Sequence, residues 1–195
     1  MLFLLWRYAF WFVMACWGIF VLTFLFLRRP PAVKEKKRAH ASNLGLLLQS
    51  CAYVAVWFFR RVMGTPVISV APALEMGLAV LTVLLSAGSI WMTIAAVRAL
   101  GKQWSIAARV VEDHELITSG PYRLVRNPIY AGMFGLLIAT GFVASHWAAL
   151  LFAMGLFLVG TVIRIRAEEG LLRETFGERF DDYSRRVPAL IPGIY

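Results

Sequence analysis

Acidic residues are scarce in this chain: 11 Asp and Glu stand against 20 Lys and Arg in 195 residues, and charged residues make up only 16%. Soluble domains use about 25% charged and about 45–50% apolar residues, whereas this chain is 60% hydrophobic with a mean hydropathy of +0.71. That balance excludes an ordinary water-soluble domain and indicates an integral membrane protein. Cysteine is nearly absent. Cys16 and Cys51 both lie inside apolar runs with no CxxC motif, so they read as small core hydrophobes, and no metal site is expected. A GxGxxG loop after a strand is missing too, which excludes a Rossmann-like cofactor domain.

Long apolar runs are what the chain has instead. Leu2 to Leu27, Leu44 to Phe59 and Leu74 to Val97 each match or approach the ~20 residues that cross a ~30 Å hydrocarbon core. The run from Leu2 is 26 residues long and reads as a first span, since a signal h-region has only about 7–15. From Ile129 to Ile163 no charged residue occurs in 35 positions, and GFVASHW, Gly141 to Trp147, breaks the run near its middle, which predicts a helical hairpin. The expected fold class is an all-α integral membrane protein with about five transmembrane helices, a cytoplasmic loop and a C-terminal helix. It forms one domain over 1–195: three spans in 1–99, then the loop, hairpin and C-terminal helix in 100–195.

The formal charge of +9 raises the question of nucleic acid, but the basic residues cluster beside the spans rather than along a polar face with stacking aromatics. Six lie in Arg28 to Arg38, five in Arg98 to Arg126 and six in Arg164 to Arg186, leaving Arg7, Arg60 and Arg61 elsewhere. Five spans put the three rich segments on one side, which the positive-inside rule assigns to the cytoplasm. The expected protein is therefore multi-pass, with its N-terminus outside and its C-terminus cytoplasmic; the short loops point to a prokaryotic inner membrane. Arg60 and Arg61 fall on the outer side and are expected to snorkel to the interface. RRPPAVKEKKR reads as a solvated basic connector facing lipid headgroups.

Two cytoplasmic segments hold the remaining polar residues. In the first, DHELITSGPYRLVRNPIYAG carries a Gly-Pro turn and an Asn-Pro step directly before the fourth span. Asn127 is pushed toward extended geometry by Pro128, which itself suits a helix's first turn, and backbone groups near the bend are expected to stay free for a ligand. A connecting loop needs no such density of Gly, Pro, Tyr and Arg, whereas a binding loop does. In the second, RIRAEEGLL continues the fifth span, with Arg164 and Glu168 at i and i+4 on one face.

With GKQWS, HELITSGPYRLVRNPIYAG, RIRAEEGLL and FGERFDDYSRRVPALIP in that order, the half from Leu100 to Pro192 resembles the isoprenylcysteine carboxyl methyltransferase family, which is related to the phospholipid N-methyltransferases. The resemblance implies an integral membrane enzyme using S-adenosylmethionine. It places His114, Glu115, Leu116, Ile117, Gly120, Pro121, Tyr122, Asn127, Pro128, Tyr130 and Glu168 around the cofactor, with Arg164 toward the substrate and Glu169 completing the pocket. Known members carry Arg-His-Pro where this chain has Arg126, Asn127 and Pro128; an amide there binds but does not titrate near neutral pH.

The residue types agree with that implication. A sulfonium carrier with an adenine and an amino-acid tail needs carboxylates, aromatic or apolar faces and hydrogen-bond donors. In-line methyl transfer then requires positioning rather than a protein nucleophile. A carboxylate acceptor is already ionised and Arg164 could orient it; an amine or thiol needs a base, for which Glu169 or His114 are the candidates. The lipophilic or lipid-linked substrate would enter from the bilayer. FGERFDDYSRR reads as an amphipathic lid with Phe176, Phe180 and Tyr183 inward and Asp181, Arg185 and Arg186 outward. Two other readings stay open: an NADPH-dependent sterol-type reductase, and a lipid-binding membrane scaffold without activity.

Overall fold

Spans set by hydrophobic length appear close to where the runs place them. The computed structural model describes residues 2–26, 35–38, 42–62, 65, 67, 71–101, 109–111 and 115–191. Six α-helices occur among them: α1 Leu2–Phe26, α2 Ser42–Phe58, α3 Pro72–Leu100, α4 Pro128–Ala144, α5 Trp147–Phe176 and α6 Glu178–Arg186. Three of these, α1, α3 and α5, are long and apolar enough to cross a membrane; α2 and α4 are apolar but have 17 residues each, or about 25 Å at 1.5 Å per residue. The predicted hairpin break is real. α4 ends at Ala144, Ser145 and His146 turn the chain, and α5 begins at Trp147.

Among the described residues one departure from an all-α chain occurs: Glu35–Arg38 pairs antiparallel with Arg109–Val111 as a short ribbon, which we label β1 and β2. The basic connector thus has part of its backbone paired, since unsatisfied backbone groups favour partners wherever two extended segments meet.

α4 is the central helix, touching α1, α2, α3 and α5, while α2 lies along α5 and α6 folds back on α5. Helices in lipid gain little from hydrophobic burial against one another, so close contact rests on small residues and interhelical hydrogen bonds. Both are present. Gly132 and Gly135 of α4 face Thr93 and Ser89 of α3; a Cβ at Gly132 would lie 2.8 Å from the Ser89 carbonyl oxygen. Gln49 Nε2 donates to Thr161 Oγ1 at 2.8 Å between α2 and α5, Trp17 Nε1 to Thr140 Oγ1 at 3.0 Å between α1 and α4, and Tyr53 OH to the Met133 carbonyl at 2.7 Å. Gly132→Val is therefore expected to lower stability by about 1–3 kcal/mol through overpacking, read from thermal unfolding of detergent-solubilised protein.

The end of the bundle away from the segment Gly120 to Asn127 is also knitted. Trp6 Nε1 and the Val67 amide both donate to Glu75 Oε2, at 2.8 and 2.9 Å. Arg61, expected at the lipid interface, instead turns inward. Its Nη1 donates to the Thr65 carbonyl at 2.6 Å, its Nη2 to the Phe142 carbonyl, and its guanidinium lies 5.5 Å from the Trp6 ring. Carbonyls in the last turn of α4 lack helical partners, and an inward arginine satisfies one of them. Arg60 remains exposed, and its backbone pairs with that of Ser145.

Candidate active site

Three elements converge at the opposite end: the segment from Glu115 through the 3₁₀ turn Gly120–Arg123 to Asn127, the last third of α5, and α6 with the chain that follows it. Gly120 takes φ +61, a left-handed value that a side chain rarely adopts, and so starts the turn. Pro121 follows in its first position, and the turn drives Tyr122 inward, where 8% of it stays accessible. The turn uses its own donors: Tyr122 N bonds the Ser119 carbonyl at 3.3 Å, and Leu124 N and Val125 N bond that of Pro121 at 3.0 and 3.2 Å.

Asn127 and Pro128 end this segment and open α4. The backbone groups at the bend, expected to stay free, are taken by the C-terminal strap: Arg126 N donates to the Pro188 carbonyl at 2.8 Å and Asn127 N to that of Ala189 at 3.0 Å. Arg126 then reaches across to α5. Its Nε meets Glu169 Oε1 at 2.8 Å and its Nη2 meets Oε2 at 3.2 Å, a bidentate pair, while Nη1 donates to the carbonyls of Ser184, at 2.8 Å, and Val187. Asn127 Nδ2 lies 3.4 Å from Glu169 Oε1 and 3.0 Å from the Ala189 carbonyl. A fork-to-carboxylate contact of this kind fixes orientation as well as adding energy.

A second group lies on the neighbouring face of α5. Tyr130 OH donates to Glu168 Oε1 at 2.5 Å and accepts from Arg164 Nε at 2.7 Å; Arg164 Nη2 lies 3.4 Å from the same Glu168 oxygen. The guanidinium stands 5.2 Å from the Tyr130 ring centroid, within cation–π range, and 5% of Arg164 is accessible.

Between these walls is a cavity of about 90 Å³ lined by Leu100 from α3, Glu115, Leu116, Ile117 and Tyr122 from the loop, Arg126 and Asn127 from the bend, Glu169 and Leu172 from α5, and Phe180 and Tyr183 from α6. It is smaller than the roughly 300–1,000 Å³ of typical ligand sites, so α6 covers the site closely. α6 turns back from α5 at Gly177, whose φ is +53. Phe180 and Tyr183 are buried as the amphipathic reading expects, while Arg185 and Arg186 are exposed and Asp181 pairs with Arg173 at 2.7 Å.

Tyr183 OH donates to the Tyr122 carbonyl at 2.7 Å and ties α6 to the loop. Burial, the largest influence, pushes the Tyr183 phenol up to about 12 against the lowering effect of Arg126, and burial likewise raises Tyr122. Neither phenol is a base at neutral pH. A phenol whose folded pKa exceeds its ordinary value of about 10 contributes stability that is complete below pH ~10 and is lost as pH rises through ~12. Tyr183→Phe is expected to cost about 1 kcal/mol and to flatten that alkaline loss, both measurable by thermal unfolding across pH 8 to 12.

Of the residues singled out from sequence, the cavity gathers Glu115, Leu116, Ile117, Tyr122, Asn127 and Glu169. Gly120, Pro121 and Pro128 shape the turn and the helix start beside it; Tyr130, Glu168 and Arg164 form the adjoining buried group. His114 lies outside the described residues. Sequence reasoning missed Arg126 as a site residue, although its place beside Asn127 was visible, and missed Leu100 and Leu172, which carry no chemical signal.

A family model of phospholipid methyltransferases matches residues 78–179. The chain is 36% identical over 112 residues to the nickel-cobalt-cadmium resistance protein NccN of Alcaligenes xylosoxydans xylosoxydans, covering 57% of this chain and 51% of that one. It is 34% identical over 90 residues to protein-S-isoprenylcysteine O-methyltransferase of Schizosaccharomyces pombe, covering 46% and 38%, and 32% identical over 90 residues to protein-S-isoprenylcysteine O-methyltransferase B of Arabidopsis thaliana, covering 46% and 45%. The chain thus spans about half the length, or less, of these curated relatives.

Proposed function

This chain belongs to the phospholipid methyltransferase family, and we propose that it is an integral membrane methyltransferase that uses S-adenosylmethionine and acts on a lipophilic acceptor. The observation that carries the reading is the meeting of Glu169, Asn127 and Tyr122 around one cavity. The donor set suits such a carrier: a carboxylate for its hydroxyls or positive centre, an amide that both donates and accepts, and Leu116, Ile117, Tyr122 and Phe180 as faces for a purine. When bound, that carrier supplies a methyl group on a sulfonium.

The chain's own part is to bind, orient and exclude water. Both oxygens of Glu169 are engaged by Arg126, which suits holding and orienting better than proton removal. Arg164, where the apolar part of α5 ends, orients an acceptor carboxylate that is ionised at neutral pH and needs no base. The finer proposal is the carboxylate of a prenylated cysteine, the chemistry for which the yeast and plant relatives are named. The acceptor's lipid portion enters from the bilayer, with five helices spanning it, the N-terminus outside, and the site on the cytoplasmic side of a bacterial inner membrane.

Isothermal titration of the solubilised protein with S-adenosylmethionine and with NADPH tests the carrier. Binding of the first alone is expected; binding of NADPH alone returns the protein to the reductase reading, and binding of neither to a lipid-binding scaffold. Radiolabelled methyl transfer to N-acetyl-S-farnesylcysteine, phosphatidylethanolamine vesicles and a small thiol then separates the acceptor classes, the first being the expected substrate.

A further inference from the structure

The matched segment begins at residue 78, yet the arginine at the centre of the buried group is held from α2, ahead of it. Gly45 of α2 lies directly against α5. A Cβ built there would stand 2.5 Å from Arg164 Cγ, 2.5 Å from the Gly160 carbonyl oxygen and 3.3 Å from the Arg164 amide nitrogen. Real Cβ atoms do not approach other atoms this closely, and Cγ is the root of the arginine side chain rather than its mobile end, so a methyl group has no cheap way to be accommodated. One turn deeper, the Gln49 to Thr161 hydrogen bond of 2.8 Å fixes α2 in register on α5.

The geometry points to Gly45 as a positioning residue: by having no side chain it lets α2 close over the stem of Arg164 and press the guanidinium onto Tyr130 and Glu168. This rests on the reading that Arg164 orients the acceptor. The stem is confined on the α2 side by Gly45, and the head is held at 2.7 Å by Tyr130 of α4 and at 3.4 Å by Glu168. An arginine held at stem and head keeps one rotamer, and a fixed rotamer is what orientation of an acceptor requires. Gly160 provides the control. The three nearest atoms to a Cβ there would all belong to α2, the Gly45 carbonyl oxygen at 2.7 Å, Leu48 Cβ at 2.9 Å and the Gln49 amide nitrogen at 3.1 Å, so it strains the same helix contact without a direct clash on the arginine stem.

The test compares Gly45→Ala, Gly160→Ala, Arg164→Ala and the two glycine variants each combined with Arg164→Ala. Three quantities are read: thermal stability, the Nε–H resonance of Arg164 (assigned by its loss in Arg164→Ala), and turnover with N-acetyl-S-farnesylcysteine. Both glycine variants should lose stability. Gly45→Ala should shift the Arg164 resonance, speed its exchange with solvent and lower turnover on the order of 100-fold, each by more than Gly160→Ala does, because its Cβ meets Arg164 Cγ directly. Removing the arginine should restore more of the stability lost in Gly45→Ala than of that lost in Gly160→Ala, a coupling larger in the first pair.

An unmoved resonance in Gly45→Ala, or equal coupling of both glycines to Arg164, overturns the inference. So does a Gly45→Ala protein that fails to accumulate both alone and with Arg164→Ala while Gly160→Ala accumulates, because the loss then comes from the backbone contact. A shifted resonance together with full turnover in Arg164→Ala leaves Gly45 as the residue that positions Arg164 and removes only the acceptor role given to that arginine.

Discussion

Glu169→Gln is expected to weaken S-adenosylmethionine binding by about 10–150-fold, the equivalent of the ~1.5–3 kcal/mol that a hydrogen bond to a charged group contributes. Glu169 is the carboxylate that lines the cavity, and its two oxygens are set by Arg126 at 2.8 and 3.2 Å. Glutamine keeps the shape and one acceptor oxygen but removes the charge, so the Arg126 guanidinium, 14% exposed in its side chain, exchanges a bidentate ion pair for a single neutral acceptor beside the backbone carbonyls it already meets. Loss of affinity should therefore come with looser docking of the strap at Val187 to Ala189, visible as faster hydrogen exchange there. Calorimetry decides the assignment against the neighbouring glutamate: Glu168→Gln should keep carrier affinity within about threefold, since Glu168 faces Tyr130 and Arg164. The reverse pattern would move the carrier's carboxylate partner from Glu169 to Glu168.

Arg164→Met should lower turnover by about 10²–10³, the range found when one preorganised donor is removed from a reacting oxyanion. Methionine preserves most of the apolar stem beside Gly45, so the loss reads the guanidinium rather than the packing. Carrier affinity should change little, because Arg164 does not line the cavity. Stability should also fall, since Glu168, 25% exposed in its side chain, loses its cation. Shifting the assay from a carboxylate to an amine acceptor discriminates further: a variant equally impaired on both would show that Arg164 supports the architecture of the site rather than an anionic acceptor.

Much of the fold was legible because hydrophobic length and helix-breaking residues act locally. The 35 uncharged residues from Ile129 to Ile163 are too long for one crossing, and Ser145 and His146 turn the chain where the polar break lies. Phe180 and Tyr183, three apart on α6, share its buried face for the same local reason. The candidate site was legible in its residue types and less so in its pairings. Arg126 looked like one of many interfacial arginines, because nothing in the sequence says that a residue 43 positions away will meet it. The strap pairing at Pro188 and Ala189 was hidden too: backbone partners carry no side-chain signature.

What the sequence determined by itself is the medium and the segments, since transfer of apolar side chains out of water and the cost of unpaired backbone in lipid depend on composition and run length alone. What only the tertiary structure decided is which of two adjacent glutamates faces the cavity. Neighbours on a helix point about 100° apart, so the choice depends on how α5 is rotated, and that rotation is set by close contact with α2 at Gly45 and Gly160 and by α4 bringing Tyr130 to Glu168 and Arg164.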